Sequence, residues 1–350
     1  MYQIGALAAL EDVVDGLNAN AFDLYVGASS GASVAAAMAG GRSVQRIYRA
    51  FLDPADTYFP LERKHISNMD FDEWRRTIVT TLAALRRGTA SFLSRGNKSS
   101  PAMLWEEFDR LNDSLPAGVF SLDAYERFLE DFFVRRGVPN HFPSMPRTLR
   151  IIAHDLDSGE LVVFGDPSFT HVPVTRACSA SMALPPIFSP VRIGARHYID
   201  AGAAQVSHLD VADQGGADVI VVINPLVPVY AETVPTGHGR RDSVRDKGAV
   251  WVMNQSIRIG THALMRQACA RLSGHAAIIL LEPQPTDAIL FMHSPASFGA
   301  RRNILEYAYR TTRARLIEWL ELGDPALARA GWRLSPLALG NGEAEAQSGT

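Results

Sequence analysis

The stretch that most constrains this chain is Phe22-Asp23-Leu24-Tyr25-Val26-Gly27-Ala28-Ser29-Ser30-Gly31-Ala32-Ser33, which continues as Val34-Ala35-Ala36-Ala37-Met38. A short apolar run breaks into Gly-x-Ser-x-Gly and then becomes alanine-rich, which predicts strand, sharp turn and helix. A serine on such a turn is pushed out at the carboxyl end of its strand, and the glycines on either side let the backbone turn without Cβ clashes. Ser29 would sit at the tip of this nucleophile elbow, with Gly27, Ser30 and Gly31 shaping it. The five-residue pattern alone is a weak signal, because small residues often join a strand to a helix. Context has to supply a partner for Ser29.

The totals set the scale. With 350 residues, 47% of them hydrophobic and 20% charged, the chain can bury a large α/β core. A formal charge of −3 gives no overall electrostatic footprint for nucleic acid. Cys178 and Cys269 lie in apolar, helix-like surroundings at no metal-ligand spacing, which suits free thiols in a reducing compartment. No run approaches the roughly 18 apolar residues of a membrane span, and the first residues lack the basic segment and apolar core of a signal peptide. The expected location is cytoplasmic, with peripheral membrane contact as an open alternative.

In chain order, Ile4, Leu7, Ala8, Leu10, Val13, Val14 and Leu17 recur at helix spacing, and Gly16 and Asn18 supply stop signals. Only this helix precedes the strand at Leu24 to Val26, which reads as a buried parallel strand wanting neighbours on both sides. Helices at 32–39 and 44–52 follow. Residues 53–147 then form a helical insertion with aromatic faces: Phe71, Trp74, Ile78, Leu82 and Leu85; Leu104, Trp105 and Phe108; Leu122, Tyr125, Leu129, Phe132 and Phe133. Residues 74–105 carry Arg75, Arg76, Arg86, Arg87, Arg95 and Lys98 and no Asp or Glu. A basic helix with apolar stripes docks on anionic membranes, and it is equally the solvated face of an ordinary amphipathic helix.

An α/β pattern resumes with a strand at Leu149 to Ala153, a turn at His154-Asp155-Leu156-Asp157-Ser158-Gly159, and a strand from Leu161 to Phe164. The turn reading outranks a metal site, since adjacent polar residues at a strand end point in different directions. Val174 to Leu184 is a small-residue helix stopped by Pro185-Pro186, and Ser179 and Ser181 are expected to back-bond to their own helix. A hairpin of residues 191–193 and 196–199 delivers Asp200-Ala201-Gly202 at its end. A short helix from Leu209 to Gln214, a buried parallel strand from Asp218 to Pro225, a mobile polar loop at 235–248, a helix at 250–272, a strand at 276–281 and a helix at 300–320 follow. From Ser335 to Thr350 the loss of apolar content predicts a disordered tail.

Ser29 needs a base, because a serine hydroxyl is a poor nucleophile until its proton is taken. A triad would draw on the ten histidines, His293 among them, in the order Ser, acid, His. That arrangement belongs to a fold with several strands ahead of the elbow, and here one helix and one strand precede it. A dyad would use one aspartate directly. Asp200 suits it, since it too stands on a glycine-bearing turn after a strand; by itself, Asp-Ala-Gly is as well read as a plain turn.

Taken together, Tyr2-Gln3-Ile4-Gly5-Ala6-Leu7, Gly27-Ala28-Ser29-Ser30-Gly31-Ala32, the Ala-Ser-x-Ala-x-Pro-x-x-Phe-x-Pro pattern from Ala180 to Pro190, and Tyr198-Ile199-Asp200-Ala201-Gly202 resemble the bacterial patatin-like phospholipases over most of the length, to about residue 322. The resemblance implies one domain over 1–322, a three-layer α/β/α fold with a mainly parallel central sheet, and residues 53–147 as a lid or membrane-contact region. It also implies hydrolysis of lipid acyl esters by a Ser-Asp dyad, with Ser29 as nucleophile, Asp200 as base, a lipid or phospholipid substrate, and no metal or organic cofactor.

Two departures stand out. Ala201 occupies a position where the family usually has glycine, and a positive φ there would cost about 1–2 kcal/mol. The family also has a first strand and a glycine-rich loop before the Tyr2–Leu7 helix, which give the oxyanion backbone donors beside the N–H of Ser30; these residues do not encode them. The expectation is a start placed inside that unit. The competing reading is a catalytically impaired lipid- or partner-binding protein with an incomplete oxyanion hole. Nucleotide binding by the 27–31 loop ranks below both, since no Lys follows the glycines.

Overall fold

The computed structural model describes residues 1–71, 74–75, 77–79, 115–204, 208–230, 243–287, 290 and 299–338. Most of the basic stretch at 74–105, the loop residues 231–242, His293 and the tail from 339 lie outside the described residues.

Helix α1 (Tyr2–Val13) is apolar nearly all round and is correspondingly buried, from Tyr2 and Ile4 through Ala6 to Leu10 and Val13. It packs along a later helix so closely that a Cβ at Gly5 would collide with the carbonyl oxygen of Leu305. Strand β1 (Leu24–Ala28) and helix α2 (Ser30–Ala39) follow, joined only by Ser29. Next come α3 (Val44–Leu52), α4 (Arg63–Ile66), β2 (Asn68–Met69), β3 (Phe120–Ser121) and α5 (Asp123–Arg136). Helix α5 belongs to the main core: Tyr125, Phe128, Leu129, Phe132 and Phe133 are buried in one cluster with Ala32 and Ala36 of α2. The Tyr125 hydroxyl meets the Ser33 hydroxyl at 2.6 Å, tying α5 to the elbow helix.

The remaining elements are β4 (Thr148–Asp155), β5 (Leu161–Phe164), α6 (Val174–Met182), β6 (Val191–Ile193), β7 (Arg196–Asp200), α7 (Leu209–Gln214), β8 (Val219–Ile223), α8 (Ala249–Leu272), β9 (Ala277–Leu281), α9 (Arg301–Glu321) and α10 (Pro325–Arg329). The α/β class is as expected, with mixed pairing. Strands β1 and β4 run parallel, as do β8 and β9, whereas β5 and β7 pair antiparallel to β4, and β6 to β7. Among the described residues β1 has β4 as its one strand neighbour, and β8 with β9 forms a separate two-stranded sheet.

Strand β4 runs two residues beyond its expected end at Ala153. His154 is thus a buried strand residue, and the turn begins at Asp155, whose carboxylate accepts the N–H groups of Asp157 and Ser158 at 2.9 and 3.2 Å. Arg196 pairs with the same carboxylate at 2.5 Å and helps hold it ionised, below the usual range for Asp. Beyond α10, Ser335 donates its N–H to the carbonyl of Val13 at 2.8 Å, and Ala338 is buried.

Candidate active site

The register of β4 explains how residues far apart in sequence meet. Ile151 pairs with Gly27 of β1 and Phe164 of β5, so those two strands lie on opposite sides of β4. Ala153 pairs with Val162 of β5 and Asp200 of β7, which puts β7 on the same side as β1. Strand β1 therefore runs up one stretch of β4 and β7 runs down the next, and their ends abut. Ala28 lies opposite Ile152 and Asp200 opposite Ala153, adjacent positions of one strand.

Ser29 leaves β1 with φ 54° and ψ −134°, the one positive φ outside glycine among the described residues. Such backbone costs about 1–3 kcal/mol and persists only where surroundings impose it. Three contacts do so. The Ser29 carbonyl accepts the N–H of Ala32 at 3.0 Å, opening α2. The Ser29 N–H donates to the Ser181 hydroxyl oxygen at 2.9 Å, and that hydroxyl donates to the carbonyl of Ile152 at 2.6 Å. The third contact is at Gly27, where a Cβ would stand 2.6 Å from Cα of Ala32; only glycine lets helix and strand approach this closely. Gly31 is different, with Gln3 Nε2 at 3.8 Å the nearest atom a Cβ would meet.

Ser29 and Gly31 are half-buried and Ser30 is exposed, whereas Asp200 keeps 1% of its surface. The Ser29 hydroxyl lies near enough to the Asp200 carboxyl to favour its ionised form. Oδ1 of Asp200 accepts the N–H of Gly202 at 2.8 Å. Burial pushes the carboxyl up to about 6, against the downward pull of the Ser29 hydroxyl and the Gly202 N–H. Behind Asp200, its own N–H donates to the carbonyl of Ala183 at 3.0 Å. Ala201 is fully buried and opens a one-turn 3-10 segment without positive φ, so the expected strain does not arise. Gly202 is constrained, since a Cβ there would lie 3.2 Å from Oδ1 of Asp200.

Ser29, Asp200, Gly27, Ser30, Gly31, Ala201 and Gly202, expected from the sequence to surround one site, are brought together by the fold. Ser181 is an addition that the sequence does not announce. That hydroxyl turns away from its own helix to serve Ser29 and Ile152, while Ser179, two residues before it, is buried without a hydrogen-bond partner. The one available signal was the Ala180-Ser181 pair ahead of Ala183 and Pro185, which marks the segment without showing where the hydroxyl points.

The sheet thus ends in a strained serine turn beside a buried carboxyl, within an α/β fold. The patatin-like phospholipase family profile matches residues 1–213, and the chain belongs to that family, one of lipid acyl hydrolases. Among solved structures, VipD from Legionella pneumophila is similar at 12% identity, covering 90% of this chain and 64% of that one with a TM-score of 0.36. The type III effector protein ExoU is similar at 17% identity, covering 91% and 50% with a TM-score of 0.30. The chain thus spans between half and two thirds of those two structures. Comparison with curated protein sequences finds no match.

Proposed function

We propose that this protein hydrolyses acyl esters of lipids, with Ser29 as nucleophile and Asp200 as the base that activates it. The observation that carries the reading is the register that sets the half-exposed Ser29 turn beside the buried Asp200 carboxyl, at adjacent positions of β4, with that carboxyl lifted to about 6, a value that suits a base working near neutral pH. Ser29 Oγ attacks the acyl carbonyl while its proton passes to Asp200. The oxyanion forms beside the first N–H groups of α2, those of Ser30 and Gly31, which have no partner within the helix and carry its positive end. Collapse expels the alcohol, which takes the proton back from Asp200, and an acyl-Ser29 ester remains. Water then gives a proton to Asp200 and attacks that ester, releasing the fatty acid and restoring the hydroxyl.

A lipid surface as the place of work fits a second set of residues. Met69, Phe71, Ile78, Val79 and Leu115 present exposed apolar side chains around a stretch whose formal charge is wholly positive from 74 to 105. Ionic attraction followed by shallow insertion of such side chains is how a peripheral protein holds an anionic bilayer. Replacing Phe71 and Ile78 together with Ser should lower binding to phosphatidylglycerol vesicles several-fold and leave cleavage of a soluble ester unchanged; unaltered vesicle binding refutes this surface.

The test of the chemistry is release of fatty acid from phospholipid by the wild-type chain and by Ser29→Ala. Loss of at least about 10³-fold in rate is expected, by analogy with removal of other serine nucleophiles. Hydrolysis that survives the substitution overturns the assignment.

A further inference from the structure

Helix α6 touches both members of the pair, and at neighbouring residues. Through Ser181 it holds the backbone N–H of Ser29, and through the carbonyl of Ala183, just past its last residue, it holds the backbone N–H of Asp200. The Ser181 hydroxyl is fully buried and spends its donor on Ile152, the β4 residue opposite Ala28, and its acceptor on Ser29. The polar atoms at this point are thus all paired, and the Ser29 turn, in a conformation its own sequence does not favour, is pinned to β4 through one side chain.

We propose that Ser181 is a positioning residue for the reaction: its hydroxyl fixes the backbone of Ser29 so that the Ser29 hydroxyl stays within hydrogen-bond reach of Asp200. The role rests on the dyad reading above. It is distinct from a packing role, because the same helix supplies a matched control. Ser179 is equally buried and has no hydrogen-bond partner, so its hydroxyl can be removed without unpairing any group.

Cleavage of a soluble p-nitrophenyl ester by the full chain gives the readout. For Ser181→Ala, kcat should fall about 10- to 100-fold, the range seen when a supporting hydrogen bond is lost, with KM little changed. The pH midpoint of kcat should also move up, since a Ser29 hydroxyl drifting from Asp200 no longer helps hold that carboxyl down. Ser179→Ala should change neither. Ser181→Cys, with the same shape and weaker hydrogen bonding, should fall between wild type and Ser181→Ala. A folded Ser181→Ala with unchanged kcat and pH midpoint, or an equal loss in Ser179→Ala, overturns the proposal.

Amide hydrogen exchange of Ser29 in the wild-type chain tests the contact without any assay of activity or any variant. Protection of an amide beside a half-exposed residue is expected, and exchange at the rate of a free amide refutes the contact. Absence of ester cleavage by wild type with Ser29 protected would instead remove the dyad reading and leave the contact standing.

Discussion

Two turns meet at the end of the sheet, and they are held in opposite ways. The Ser29 turn is strained, with φ 54° and ψ −134°, and outside contacts impose it: Ser181, the close approach at Gly27 and the start of α2. The Asp200 turn is relaxed backbone, but it carries a carboxyl that burial has lifted to about 6. One site stores its cost in backbone geometry and the other in electrostatics. Under the proposed mechanism each cost lies where the chemistry needs it, since a nucleophile has to be exposed and a base has to want a proton.

The largest effect should come from neutralising the base. Asp200→Asn keeps the shape and the acceptor for Gly202, and the rate of ester cleavage should fall by about 10³-fold or more. Its effect on stability should have the opposite sign. Asp200 titrates near 6 in the folded chain against 3.8 as the ordinary value, so between those values the folded state holds a proton that the unfolded state has released. The contribution of Asp200 to stability is therefore complete below about pH 4 and is lost as pH rises through 6. Under the proposed mechanism activity should follow the same titration upward, because only the ionised carboxyl accepts the Ser29 proton. At neutral pH the asparagine should gain on the order of 3 kcal/mol, as the difference of about two pKa units implies. Thermal unfolding at pH 5 and pH 8 checks the sign: the gain over wild type should be larger at pH 8, and a variant no more stable at either pH removes the electrostatic half of the comparison.

Breaking the geometric half comes next in size. A methyl at Gly27 would meet Cα of Ala32 at 2.6 Å, Cβ of Ala35 at 2.8 Å and the carbonyl of Gly31 at 2.9 Å, backbone or backbone-fixed atoms with no rotamer to escape through. Gly27→Ala should therefore cost about 3 kcal/mol, the upper end for overpacking, and take activity with it. Denaturant unfolding measures this directly, and a loss below 1 kcal/mol would show that α2 can slide away from β1.

The contrast between these turns also explains what the amino-acid order revealed and what it hid. The serine turn was legible because the close approach of α2 to β1 needs glycine at position 27, and Gly27 with Gly31 frames Ser29 in a recognisable five-residue pattern. The aspartate turn was nearly silent, since relaxed backbone asks for nothing special; Ala201 sits there without positive φ, and only the company of the other motifs raised Asp200 above an ordinary turn. Helix spacing marked α1, α5 and α9 because their apolar positions recur. The pairing of β4 with β1 and then with β7 along one side was illegible, being a matter of register between strands some 120 residues and some 50 residues apart. Ser181 was hidden for a related reason: a serine in a small-residue helix bonds to its own carbonyls by default, and only the neighbouring strand end offers it something better.

The finest test separates the two glycines of the elbow. The pattern treats Gly27 and Gly31 alike, yet the structure gives them unlike duties. Gly31 lies within the first turn of α2, has no positive φ, and leaves open space where a Cβ would go, apart from Gln3 Nε2 at 3.8 Å. Alanine there should fit, and it should stabilise the helix by about 0.5 kcal/mol through the lower entropy of the unfolded chain. The Ser29 backbone would be untouched, so ester cleavage should stay within about tenfold of wild type, a change of less than 1.4 kcal/mol in barrier. Parallel unfolding and rate measurements on Gly27→Ala and Gly31→Ala read the difference in one experiment. Equal damage from both would mean that the elbow needs glycine for freedom at two points rather than for one close contact, and the strain would then be spread along the turn instead of resting on Ser29.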